Sequence, residues 1–205
     1  MPQQGNSPIQ NACPAMNDDE LVRKLRERNA VVVHFSHHAN MRDGGVFPVD
    51  LHEAIRNKDH WALSCSVLWP GHGMAPCGSV GVLFKPSVVS VLSVSNKDSG
   101  SWTNPDGIDQ SGGRPLTAES FETTFQVDGA YNEWRIIRAE VAGIFVLDPR
   151  YIMVKKRGPV HGLPNGEILH EIGCTPVALS EVFDVFPNLP VFTLTREGLK
   201  GLTRP

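Results

Sequence analysis

Several features that commonly assign a function are missing from this chain. The first sixteen residues are polar and rich in Pro, Gln and Asn, with no basic start and no apolar run, so they do not read as a secretory signal. The longest apolar stretch, 141–147, is far short of the ~20 residues needed to span a membrane. The four cysteines (Cys13, Cys65, Cys77 and Cys174) form neither a CxxC pair nor a tight framework. Without an export signal they read as reduced thiols, and the expected compartment is the cytoplasm, with delivery into a target cell left open. No GxxxxGK[ST] is present, which excludes a P-loop NTPase, and no GxSxG supports an α/β-hydrolase. HExxH and a glycine fingerprint after a strand are also absent. A net charge of −3 argues against a protein that binds nucleic acid by bulk electrostatics, although a local basic groove such as Lys155-Lys156-Arg157 remains open. There is no internal repeat.

What is present fits one globular domain. At 205 residues the chain is long enough to bury a core without metal or disulfide staples. Nineteen glycines and sixteen prolines make it loop-rich, and 22 valines against 16 leucines lean it toward strands. Residues 1–16 read as a disordered leader, and 17–205 as the domain. Asn17, followed by Asp18, Asp19 and Glu20, has the pattern of a capping box. Leu21 and Leu25 then carry an amphipathic helix to about residue 29. Residues 30–36 are β-branched and too short for a helix, hence a buried strand. Asp43-Gly44-Gly45 marks a turn, and a short helix is expected over 48–57. Strands are expected at 61–68, 79–85, 88–95, 131–137, 140–147 and 191–195. Two further helices are expected, one capped by Thr117 and one near 177–186. The Gly- and Pro-rich segments 70–78 and 157–166 read as loops. So does 96–116, a length that inside a compact domain usually signals function. Helix, strand, helix and then mostly strands is the order of an α+β fold.

Three polar features interrupt apolar strands, where an unpartnered group costs about 1–3 kcal/mol. They are His34, the Ser64-Cys65-Ser66 run, and Glu133 in Tyr131-Asn132-Glu133-Trp134-Arg135-Ile136. In order and spacing they resemble the motifs of ADP-ribosyltransferase-like folds. His34-Phe35-Ser36, followed by Asn40-Met41 and Gly44-Gly45, is similar to the opening strand and short helix. Trp61-Ala62-Leu63-Ser64-Cys65-Ser66 is similar to the Ser/Thr-rich second strand, and Glu133 to the strand-borne glutamate reached after a long loop and helix. The resemblance covers residues 30–152 and is nearest to the His-type branch that includes toxins of the DarT kind.

That resemblance implies split, mostly antiparallel β-sheets with short flanking helices and NAD⁺ bound as substrate in the cleft between them. The activity implied is mono-ADP-ribosyl transfer to a macromolecular acceptor, protein or nucleic acid, by a bacterial or phage toxin or effector, with a neutralising partner an open question. Glu133 would stabilise the oxocarbenium-like ribose and help deprotonate the acceptor. His34 would bind the adenosine ribose or pyrophosphate. Ser36, Ser64 and Ser66 would line the cofactor site, with Ser64 or Ser66 positioning Glu133, and Tyr131 or Trp69 would stack on nicotinamide. Two departures matter. Tyr131 stands where arginine-modifying members carry Glu or Gln, and residues 61–68 lack the arginine of the DarT type, so neither acceptor carries over. Glu140 competes with Glu133 as the catalytic glutamate. Two other readings stand beside this one. The first is an inactive binding or inhibitory module of the same fold. The second is a zinc-dependent hydrolase using His34, His37, His72 and Cys77. A nucleophilic Cys65 or Cys77 is a further rival.

Overall fold

The computed structural model describes residues 16–35, 49–56, 62–76, 78–99, 102–103, 109–110, 112–127, 130–162 and 168–205. Residues 1–15 of the expected leader, Ser36, His37, His38, Asn40, Met41, the 43–45 turn, Trp61 and Cys77 lie outside the described residues; Met16, assigned to the leader, is instead buried in the core. In chain order the elements are α1 (Asp18–Glu27), β1 (Val31–Phe35), α2 (Val49–Ile55), β2 (Leu63–Leu68), β3 (Val80–Lys85), β4 (Val91–Ser95), β5 (Trp102–Thr103) and β6 (Asp109–Gln110). There follow α3 (Ala118–Thr123), β7 (Glu133–Ile136), β8 (Glu140–Val146), β9 (Ile152–Gly162), β10 (Ile168–Val177), α4 (Leu179–Val185), β11 (Val191–Thr195) and β12 (Gly198–Leu202). The fold is α+β. No helix among the described residues is long and apolar enough to cross a membrane.

Eight strands form one mixed sheet in the order β12-β11-β8-β3-β1-β2-β7-β4. Only β11 runs parallel to its neighbour β8. The expected split into two sheets is replaced by a single connected sheet, because β1 and β2 pair through Val31–Leu68, Val32–Val67 and Val33–Ser66. Beyond that short ladder the partners separate. His34 and Phe35 pair with β3, whereas Leu63, Ser64 and Cys65 pair with β7. The two halves are therefore joined at a narrow seam.

Alternation along the strands gives each face its own core. One face gathers Val32, Val67, Val82, Trp134, Ile136 and Ile144, covered by Leu21 and Leu25 of α1 and Phe121 of α3. The other carries Val31, Val33, Phe35, Leu68, Leu83 and Phe145. β1 is buried along its whole length because it sits centrally between the two cores. Asn17 caps α1 by accepting from the amide of Glu20 at 2.9 Å, and acidic residues fill the first turn, where the helix dipole favours them. Lys24 of α1 and Arg28, its C-cap, both bond Glu122, tying α1 to α3 and holding that carboxyl below its usual range, with the Lys24 bond the largest cause.

Gly81 of β3 lies against β1 so closely that an added Cβ would fall 2.5 Å from Val33 Cγ1 and 2.6 Å from the His34 carbonyl. Only glycine permits that approach. Three expectations need correction. Residues 157–162 of the expected 157–166 loop belong to the β9–β10 ribbon, which pairs from Ile152–Val177 out to Gly162–Ile168; residues 163–166 lie outside the described residues. The strand expected at 88–95 begins with a 3₁₀ turn, Val88–Ser90. β12, which has no β-branched residue, was not expected at all; it pairs with β11 along its full length.

Candidate functional site

The three strands singled out from sequence are consecutive in the sheet: His34 on β1, Ser64 and Ser66 on β2, Glu133 on β7. Register sorts their side chains. Ser64 pairs with Arg135 and Cys65 with Trp134, so Ser64, Ser66, Glu133 and Arg135 share one face. His34 is in phase with Val32 and lies by count on the opposite face. The β1–β3 ladder fixes this, because it pairs His34 with Val82 of the Val32–Val67–Trp134 face. The expectation that His34 and Glu133 line one cleft is therefore corrected: their side chains leave opposite faces of the sheet, and His34 sits where β1 and β2 part beyond Val33–Ser66. Its Nδ1 lies 2.8 Å from the Ser64 carbonyl. A carbonyl can only accept, so Nδ1 carries the proton and Nε2 is the ring's acceptor in the neutral form. The imidazole thus replaces a missing rung between the halves.

Glu133 is 4% exposed. Its Oε2 accepts from the Ser99 amide at 3.0 Å and also from the Ser99 hydroxyl. Its Oε1 lies 3.8 Å from Nη1 of Arg135, itself buried. A buried carboxylate needs such compensation, because desolvation otherwise favours its neutral form. Sequence reasoning gave the positioning of Glu133 to Ser64 or Ser66. The structure assigns the bonds differently: Ser66 Oγ donates to the Asn132 carbonyl at 3.4 Å, and Ser99 holds the carboxylate. Ser99 comes from the long 96–116 segment, whose length was the only signal for it.

Asn132 is the other residue missed. It is buried, and its side chain takes the place of a backbone rung: Oδ1 accepts from the Val67 amide at 2.7 Å and Nδ2 donates to the Val67 carbonyl at 2.8 Å. The β2–β7 pairing is thereby extended to Val67–Asn132, two steps beyond Cys65–Trp134 and on the far side of Glu133. Asn132→Ala should cost about 2–4 kcal/mol in urea unfolding, since two buried backbone groups lose their partner. A loss under about 1 kcal/mol would show that the clip carries no weight.

Other candidates fall elsewhere. Tyr131 is half exposed, with its hydroxyl donating to the Ala75 carbonyl at 3.2 Å. Glu140 is exposed and pairs across the β3–β8 ladder with Lys85 at 2.6 Å. Cys65 is buried among apolar side chains, and desolvation pushes its thiol far above the usual range, with Glu133 adding to the rise and Arg135 opposing it. A thiol so placed is a poor nucleophile at neutral pH. Of the proposed zinc ligands only His34 and His72 fall among the described residues, and no three His, Cys, Asp or Glu side chains converge there.

His72 stacks flat on Trp69, with centroids 3.9 Å apart and planes 4° from parallel, and Trp69 meets Phe125 edge-on. Burial pushes the His72 pKa down, with the Val67 backbone opposing. The sign follows directly. Above the unfolded value near 6.5 both states are neutral; below it the unfolded chain takes the proton first, so stability falls as pH falls toward the lower folded value. The melting temperature should therefore decline below about pH 6.5, and His72→Phe should flatten part of that decline. An unchanged slope in the variant would remove His72 from the account.

Compared with family models, with curated proteins and with solved structures, the chain matches none of them.

Proposed function

We propose that the protein is a NAD⁺-dependent ADP-ribosyltransferase acting on a macromolecular acceptor. The observation that carries this reading is the buried Glu133, held by Ser99 and faced by Arg135, on the strand beside the Ser64/Ser66 strand, which in turn adjoins the His34 strand. In the reaction the bond from ribose C1′ to the nicotinamide nitrogen breaks, and its electron pair leaves with nicotinamide. A bond from C1′ to the acceptor forms, and the acceptor's proton passes to a base. Positive charge builds on the ribose as the first bond loosens, and a fixed carboxylate in a water-poor site stabilises it. Glu133 supplies that carboxylate and takes the proton. His34, on the opposite face of the adjoining half-sheet, is bonded through Nδ1 to the Ser64 carbonyl of β2. Glu140 is less suited, because it is exposed and engaged by Lys85.

The test is direct. Purified protein is incubated with NAD⁺ labelled in the adenylate moiety, together with a cell extract. Label should enter a macromolecule with wild type and not with Glu133→Ala, and mass spectrometry of the labelled fraction identifies the acceptor. Indistinguishable labelling by the two proteins sinks the proposal.

A further inference from the structure

The 96–116 segment reaches the Glu133 carboxylate through Ser99. Its root is fixed on several sides. Lys97 N–H donates to Ser95 Oγ at 3.3 Å, and Asn96 Nδ2 donates to the Gln126 carbonyl at 3.0 Å. The returning arm pairs Arg114 with Val94 through two backbone bonds of 2.8 Å. Between these, Gly112 packs on Ser99 so tightly that a Cβ there would sit 3.3 Å from the Ser99 carbonyl. Ser99 is therefore braced from behind while its amide and hydroxyl meet the same oxygen, Oε2 of Glu133. The other oxygen, Oε1, faces Arg135 Nη1 at 3.8 Å, beyond hydrogen-bond distance.

We infer that Ser99 is the positioning residue of the candidate catalytic carboxylate: it fixes Oε2 and assigns Oε1 to the ribose hydroxyl of the substrate. The identity of that hydroxyl rests on the ADP-ribosyl transfer reading; the hold of Ser99 on Glu133 does not. Two donors on one oxygen stop the carboxylate from turning about its terminal torsion, a soft rotation in a free glutamate. A carboxylate held in the productive direction loses less freedom as the transition state forms. The long segment whose length signals function in the sequence then contributes, through Ser99, to the machinery of the reaction.

Two readouts test this, one independent of turnover. By NMR-detected hydrogen exchange, the Ser99 amide should exchange about tenfold faster in Glu133→Ala than in wild type, the effect of losing one bond to a charged acceptor. Equal exchange overturns the inference. In nicotinamide release from NAD⁺, Ser99→Ala should lower kcat about 10- to 30-fold with KM within about twofold, while Ser99→Thr, which keeps the hydroxyl, should recover to within about threefold of wild type. A merely structural serine would not produce that split or that rescue. Full kcat in Ser99→Ala, beside an inactive Glu133→Gln, overturns the positioning role and leaves the proposed activity standing. Faster exchange at Ser99 in Glu133→Ala, with no NAD⁺ turnover by wild type, supports the hold on Glu133 and overturns the assignment of Oε1 to a ribose hydroxyl along with the proposed activity.

Discussion

Glu133→Gln should reduce nicotinamide release from NAD⁺ by about a thousandfold, the scale seen when one preorganised electrostatic contact or proton acceptor is lost. Glutamine preserves the shape of the side chain and an oxygen for Ser99 to bond, so the fold should persist. What disappears is the negative charge that faces a developing cation. Comparison with Glu140→Gln sharpens the result. That carboxylate is 65% exposed and paired with an equally exposed lysine, so its loss should change turnover by less than about twofold and stability by less than about 1 kcal/mol. Steady-state kinetics and a thermal melt on both variants provide the check. A reversed pattern, with Glu140→Gln inactive and Glu133→Gln active, would overturn the choice of glutamate.

The largest loss of stability is expected at the next residue. Trp134 is fully buried, packs edge-on against Phe121 with centroids 6.1 Å apart, and donates from Nε1 to Thr124 Oγ1 at 2.9 Å. Trp134→Ala opens a cavity where β7 meets α3 and should cost about 3–5 kcal/mol. Against a total of about 5–15 kcal/mol for an ordinary domain, that brings the protein near unfolding at 37 °C. Trp134→Phe keeps most of the volume but leaves the buried Thr124 hydroxyl without its donor, and should cost about 1–3 kcal/mol. Urea unfolding followed by circular dichroism separates the two. Equal losses would mean that the hydrogen bond, rather than the volume, sets the stability there. Trp134 lies between Glu133 and Arg135, so loss of activity in Trp134→Ala would report unfolding and not chemistry.

The strands whose stability comes from burial were legible in the sequence. Val31–Phe35, Val80–Lys85 and Val191–Thr195 are β-branched or aromatic runs of the right length, and the structure places strands there. The β9–β10 ribbon was not legible, because Gly158, Pro159, Gly162 and Pro176 read as breakers. A two-stranded ribbon draws its order from pairing with itself more than from strand propensity. β12 is similar: Gly198-Leu199-Lys200-Gly201-Leu202 becomes a strand because β11 presents a free edge. At the site, Glu133 and His34 were visible as polar residues inside apolar runs. Ser99 was hidden because it reaches Glu133 across 34 positions from a segment with no periodicity. Asn132 was hidden because a side chain standing in for a peptide group leaves no pattern. Local sequence reports burial well and reports such tertiary substitutions hardly at all.

The strand order also sets a timetable. β1, the central strand, is the first to be synthesised, and β2, β4 and β7 all build outward from one of its sides. That side, with His34, Ser64, Ser99 and Glu133, is drawn wholly from residues before 137. Every sheet strand made afterwards, β8, β11 and β12, joins the other side beyond β3. As the chain leaves a ribosome from its N-terminus, all the residues of the candidate site are available while the last third is still unmade.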